Sequence, residues 1–137
     1  MIAVRYFSKI GNTKQIAEAI AEGAGIKAVS IADEPELKDH VSLLFLGGAP
    51  YANIMAPELR AYAEKLTPEQ ADRVVLFTTS NWSRRTIRAL KKLLREKGIP
   101  VADEYFYAHM LQIKNRMDAA REFGRKYKDS EAGGPRS

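Results

Sequence analysis

The chain of 137 residues contains no cysteine, one tryptophan and two histidines. Without cysteine it has no disulfide, thiolate nucleophile, thiolate-bound zinc or cysteine-held iron–sulfur cluster. His40 and His109 stand far apart in the sequence, and neither belongs to a cluster with metal-ligand spacing. We therefore expect surface or hydrogen-bonding roles for both histidines and no metal site. Any electron chemistry would require a bound cofactor.

Long apolar runs are also missing. The longest, residues 43–52, includes two glycines and a proline, and it falls well short of the ~20 residues that a membrane-spanning helix needs. The first residues form a strand pattern that contains Arg5 and differ from a secretory signal. We expect no membrane segment and a cytoplasmic location.

Two common nucleotide-binding motifs, G-x-x-x-x-G-K-[ST] and G-x-G-x-x-G, are absent as well. In their place, the segment SKIGNT (residues 8–13) follows an apolar run and opens a helical pattern at Thr13. A strand that passes through such a loop into a helix directs backbone N–H groups at one point, which attracts an anion. Gly11 supplies backbone freedom, while Ser8 and Thr13 supply hydroxyl donors. The same residue types also form ordinary capped turns, so both interpretations stay open here.

Five strand-like runs alternate with helical patterns, which predicts a parallel sheet covered on both faces. The expected strands are residues 2–7, 28–31, 41–47, 74–79 and 100–107. The expected helices are residues 13–22, one from Pro57 to about 66, 84–97 and 116–127, with a turn or brief helix start near Pro35. Residues 1–128 then form one domain, and residues 129–137 form a disordered tail. Arg5 lies inside a central strand, so it must reach water or a carboxylate.

The net charge is +5, and its densest cationic stretch lies in residues 84–97. Apolar residues recur there at helical spacing, which favours an amphipathic helix with a solvated basic face over a nucleic-acid surface. A basic face can also steer an acidic protein partner.

With these elements in place, the chain resembles the flavodoxin family. Residues 6–13, YFSKIGNT, are similar to its phosphate-loop pattern [ST]-x-[TS]-G-x-T, and residues 44–51, LFLGGAPY, are similar to its third strand and following loop. The order of elements extends the resemblance to about Tyr127. The short connection before the last helix is similar to the short-chain group of the family.

The resemblance implies a single-domain, three-layer α/β fold with a five-stranded parallel sheet in the order 2-1-3-4-5. It also implies noncovalently bound FMN, with the flavin ring between the loops that carry Tyr51 and Trp82, and no catalytic side chain. The implied FMN-binding residues are Ser8, Lys9, Ile10, Gly11, Asn12, Thr13, Pro50, Tyr51, Ala52, Asn53, Ser80, Asn81 and Trp82.

The chain departs from the family pattern at three points. Ile10 stands where the family has a hydroxyl residue, which removes one donor to phosphate and lowers the expected FMN affinity by ~1.5–3 kcal/mol. Asn53 stands where the family often has the glycine whose carbonyl turns toward flavin N5. The chain is basic, whereas familiar electron-carrying members are acidic. Arg84 and Arg85 are expected to place positive charge near the flavin.

Three functions remain open. The first is a monomeric one-electron carrier that serves redox partner proteins with acidic docking surfaces, without binding nucleic acid or membranes. The second is a small FMN-dependent oxidoreductase that reduces a quinone or similar acceptor. The third is a cofactor-free interaction domain that keeps the fold.

Overall fold

The computed structural model describes residues 1–52 and 54–132, and its centre is a parallel sheet. The five strands are β1 (Ile2–Phe7), β2 (Ala28–Ser30), β3 (Leu43–Gly48), β4 (Val74–Ser80) and β5 (Val101–His109). They pair in the order β2-β1-β3-β4-β5, and every pairing within this sheet is parallel. The predicted strand order is therefore confirmed.

Helices cover both faces of the sheet. In the described part of the chain they are α1 (Asn12–Ala24), α2 (Pro57–Lys65), α3 (Arg85–Glu96) and α4 (Met117–Ala132). Alternate residues of β3 point to opposite faces: Leu44 and Leu46 pack with α2 and α3, while Leu43 and Phe45 pack with α1 and α4. The near-continuous apolar run of β3 is thus explained by burial on both sides.

The structure corrects several predicted boundaries. The stretch between β2 and β3 forms turns and no helix, and the third strand begins at Leu43 because Val41 makes only an isolated bridge to Ala71. A short antiparallel hairpin, Pro50–Tyr51 with Ile54–Met55, follows β3. The fifth strand extends beyond the expected end, to His109.

The last helix is also longer than expected, since α4 continues to Ala132 where the sequence predicted a disordered tail from residue 129. Glu131 lies 4.0 Å from the Arg73 guanidinium, an ion pair that favours the added turn. The remainder of the predicted tail, residues 133–137, lies outside the described residues.

Arg5 is accommodated by a carboxylate, as one of its two predicted solutions requires. Its side chain is 13% exposed, and one guanidinium nitrogen lies 3.5 Å from Glu34 Oε1. Another nitrogen donates to the carbonyl of Val4.

Within residues 1–52 and 54–132, no helix is long and apolar enough to cross a bilayer. The cytoplasmic location stays a prediction.

Helices α1 and α4 pack so closely that their backbones are in contact. A Cβ atom added to Gly124 would lie 2.0 Å from the carbonyl oxygen of Ile20 in α1. No side chain can move to relieve this contact, so the helices would have to separate.

We therefore predict that Gly124→Ala lowers the free energy of unfolding by about 2 kcal/mol, despite the higher helix propensity of alanine. Gly98→Ala serves as the control, because Gly98 has φ 83° but its added Cβ would meet only Pro68 Cγ, at 3.8 Å. That variant should lose about 1 kcal/mol from backbone strain alone. Urea unfolding measures both, and a Gly124→Ala protein as stable as the wild type would contradict the packing.

Candidate functional site

The candidate site lies at the carboxyl edge of the sheet, where the strand order reverses. The chain leaves β1 toward α1 on one face, and it leaves β3 toward α2 on the other. The two loops diverge and leave a crevice between them, which is where open α/β sheets bind ligands.

The loop after β1 is closed by a hydrogen bond between its own residues, whereas the first N–H groups of α1 have no capping side chain. Gly11 has φ 99°, a left-handed conformation that favours glycine, and its N–H donates to Ser8 Oγ at 3.0 Å. No side chain caps α1, its first turn contains no acidic residue, and the N–H groups of Asn12 and Thr13 find no acceptor among the described residues. An uncapped helix N-terminus of this kind binds anions.

A buried pair of hydroxyl groups joins the first turn of α1 to β4. Thr13 Oγ1 and Thr79 Oγ1 lie 2.8 Å apart, and each threonine is 1% exposed. One hydroxyl donates to the other, so one of the two protons stays available for a further acceptor in the crevice. Thr79 was missed by the sequence reasoning, which placed the site after the strand and not within its last residues.

Tyr51, in the hairpin after β3, packs over the loop that follows β1. Its hydroxyl accepts a hydrogen bond from the Lys9 N–H at 2.8 Å, and the Lys9 ammonium lies 4.6 Å from its ring centroid. Phe7 packs edge-on against the same ring at 6.4 Å. These contacts hold the Tyr51 ring in a fixed position and engage the backbone donor of Lys9.

The loop after β4 is held by residues of β5. Trp82 has φ 72°, a conformation that costs about 1–2 kcal/mol for a residue with a side chain. The Tyr107 hydroxyl accepts the Trp82 N–H at 2.8 Å and donates to the Ser80 carbonyl at 3.0 Å. The Arg84 guanidinium lies 3.6 Å from the Tyr107 ring centroid. Tyr107 therefore links both ends of a strained turn.

His109 extends this support, and its tautomer can be deduced. The Leu111 N–H donates to His109 Nδ1 at 3.1 Å, so the proton of the neutral ring lies on Nε2. That Nε2–H donates to Asn81 Oδ1 at 2.9 Å, and the Trp82 ring packs against the imidazole at a centroid distance of 4.7 Å. The expected hydrogen-bonding role of His109 is confirmed.

These loops enclose a cleft of about 240 Å³. The sequence-predicted residues that line it are Ser8, Ile10, Asn12, Thr13, Pro50, Tyr51, Ser80 and Asn81. The residues that line it without having been predicted are Ala49, Thr79, Ser83 and Met110. Lys9, Gly11, Ala52 and Trp82 do not line the cleft, and Asn53 lies outside the described residues. Of the two predicted flanking rings, Tyr51 forms part of the cleft wall, whereas Trp82 lies outside the lining and is 73% exposed.

Comparison with solved structures identifies the architecture. The chain is similar to a flavodoxin from the domain Archaea, with 20% identity, a TM-score of 0.72, and 95% of this chain and 98% of that one covered. It is also similar to a short-chain flavodoxin associated with a bacterial microcompartment, at 10% identity, a TM-score of 0.70, and 98% and 99% coverage.

The chain has the flavodoxin-like fold. A third similar structure, the rubredoxin:oxygen oxidoreductase of Desulfovibrio gigas, has a TM-score of 0.69 and 13% identity. There the alignment covers 97% of this chain but 37% of that one, so this flavodoxin-like chain matches only part of the larger protein. Protein-family models and curated protein sequences give no match.

The support of the Trp82 turn by Tyr107 gives a direct prediction for this flavodoxin-like chain. Tyr107→Phe removes the acceptor of the Trp82 N–H and the donor to Ser80, so stability should fall by about 1 kcal/mol. Trp82 is the only tryptophan, and its fluorescence anisotropy should fall as the turn loosens.

Tyr105→Phe is the matched control, because the Tyr105 hydroxyl accepts only the Arg84 Nε–H in this region, at 2.8 Å. Its Trp82 anisotropy should equal that of the wild type. Unchanged anisotropy in Tyr107→Phe would show that the turn does not depend on this phenol.

Proposed function

We propose that this protein binds FMN noncovalently in the cleft and carries single electrons between redox proteins. The observation that carries the proposal is the uncapped N-terminus of α1, which opens into a cleft with a fixed aromatic wall at the reversal of the strand order. When bound, FMN accepts and releases electrons one at a time. The flavodoxins of similar structure support this choice of cofactor.

The residues at the start of α1 suit the terminal phosphate of FMN. The Asn12 and Thr13 N–H groups and the positive end of the helix dipole attract a dianion. Ser8 accepts the Gly11 N–H and keeps its own hydroxyl proton for donation. The absence of a carboxylate in the first turn leaves nothing to repel the phosphate.

The wall of the cleft suits a planar, partly apolar ring. Tyr51 offers an aromatic face already fixed by Lys9 and Phe7, so little side-chain entropy is lost on binding. Asn81 and Ser83 offer polar atoms in the same cleft. The turn of residues 80–84, held by Tyr107, would limit the access of water through the opening of the cleft.

The lining favours a carrier over an oxidoreductase that reduces small substrates. None of the lining residues described is an aspartate, glutamate, histidine, lysine or arginine. Such groups are the usual proton donors and acceptors of an active site. A carrier needs only a bound cofactor and an edge that a partner can reach.

The proposal is tested by titrating the cofactor-free chain with FMN and following the flavin fluorescence. We expect saturable binding of one FMN per chain, and we expect the loaded protein not to oxidise NADH or NADPH in the presence of a quinone. Absence of binding would reject the proposal in favour of a cofactor-free domain. Rapid NAD(P)H turnover would favour the oxidoreductase.

Ile10 supplies a sharper prediction, because its side chain is 74% exposed and can be replaced without disturbing the core. Ile10→Thr restores a hydroxyl donor beside the helix start and should tighten FMN binding about tenfold, the effect of one hydrogen bond to a charged group. Ile10→Val is the control of the same shape and should leave the affinity unchanged. Equal affinities for the two variants would show that phosphate does not contact residue 10.

A further inference from the structure

The exposed apolar side chains gather on the loops around the cleft. Apart from Met1, the large hydrophobic side chains that are exposed in the described part of the chain are Ile10, Ile54, Trp82, Met110 and Leu111. Ile10 follows β1, Ile54 follows β3, Trp82 follows β4, and both Met110 and Leu111 follow β5, so all five belong to the carboxyl edge of the sheet. The Leu111 side chain is 83% exposed and therefore does not pack in the core. Exposed apolar groups concentrated in this way mark an interaction surface.

The same loops carry charge of one sign only. Residues 8–13, 49–52, 54–56, 80–85 and 109–116 contain no aspartate or glutamate. Their cations are Lys9, Arg84, Arg85, Lys114 and Arg116. Since 28% of the whole chain is charged and both signs are present elsewhere, this edge is distinct in having cations alone. We call these four loops the rim.

A basic stripe on α3 continues from the rim. Arg85, Arg88 and Lys92 follow one another at helical spacing, are exposed, and have no carboxylate within 4 Å among the described residues. By contrast, Arg95 pairs with Asp103, and Lys91 reaches the Asp103 carbonyl, so these cations are used internally. Two of these three cations, Arg85 and Arg88, therefore lie in the half of α3 nearest the rim.

We propose that the rim and the first turns of α3 dock a redox partner whose surface has an apolar centre bordered by carboxylates. This proposal rests on the proposed function, because it places the partner over the opening of the cofactor cleft. Carboxylates facing Arg85 and Arg88 would steer the encounter, and the exposed aliphatic groups would supply the contact. A bilayer is a less suitable partner, because lipid seated on the same edge would cover the cleft opening and keep redox proteins away from it. Nucleic acid would call for stacking rings, and Trp82 is the rim's one exposed aromatic.

The test uses the full isotope-labelled chain with FMN present and follows backbone amide shifts at low salt. The probe is a short helical peptide with leucine and phenylalanine on one face, bordered by glutamates. Its twin has lysine at each glutamate. We expect the acidic peptide to shift rim and α3 amides, to lose affinity with added salt, and to bind at least about tenfold more tightly than its twin.

Paired variants separate the rim from general charge. Arg85→Glu with Arg88→Glu should weaken the acidic peptide about tenfold. Lys27→Glu with Lys128→Glu changes the net charge equally at the opposite edge, near Met1, and should change the affinity less than twofold. Leu111→Ser should weaken binding without affecting stability, because this side chain is exposed.

Three results would overturn the proposal: equal binding of both peptides, equal effects of the two charge-reversal pairs, or tighter rim binding by phosphatidylserine vesicles or a single-stranded oligonucleotide. FMN uptake, measured by itself before the peptide is added, separates the two proposals. Failure of FMN uptake defeats the proposed function and the redox role of the partner, whereas normal uptake with no peptide preference defeats only the docking surface.

Discussion

The start of α1 is the constraint on which the site depends. Gly11 turns the chain through a left-handed conformation directly after β1, Ser8 closes the turn, and the helix begins without a capping side chain. The N–H groups left over point toward the crevice between the loops of β1 and β3. The rest of the fold holds α1 in place, through the Gly124 contact near its carboxyl end and the Thr79 hydroxyl beside its first turn. These contacts are made without a ligand, so the proposed anion site would lose little conformational entropy on binding.

The opposite wall is built differently, since backbone strain there is balanced by contacts from β5 and from Arg84. Trp82 adopts a conformation that glycine would adopt more easily, and the phenol of Tyr107, the ring of His109 and the guanidinium of Arg84 surround the turn. Backbone strain that surrounding groups maintain is often found near functional sites. Here it leaves an exposed indole at the mouth of the cleft, in the same loops that carry only positive charge. The proposed cofactor cleft and the proposed docking surface thus share their supporting residues.

The sequence predicted a doubly covered parallel sheet, because β1, β3 and β4 are short, nearly continuous apolar runs, and the resemblance to flavodoxins supplied the strand order. It also located the loop after β1, where Ser8, Gly11 and Thr13 each have a chemical reason to be present. The sequence was not sufficient where contacts between distant residues determine where an element ends. β5 mixes Asp103 and Glu104 with aromatic residues, so its apolar pattern weakens and its extension to His109 was missed. Met110, which follows this extension and lines the cleft, was therefore not predicted. The hydrogen bonds of Tyr107 were missed because they join residues 25 and 27 positions apart in the sequence. The added turn of α4 depends on Arg73, which is distant in sequence.

The central claim is that the uncapped α1 terminus holds the phosphate of FMN, and calorimetric titration of the chain with FMN and with riboflavin tests it most directly. Riboflavin has the same ring and ribityl chain without the phosphate. Two hydrogen bonds to the dianion at ~1.5 kcal/mol each amount to about a hundredfold in affinity, so FMN should bind at least that much more tightly. Equal affinity for the two flavins would contradict the account, because the helix end would then contribute nothing to binding.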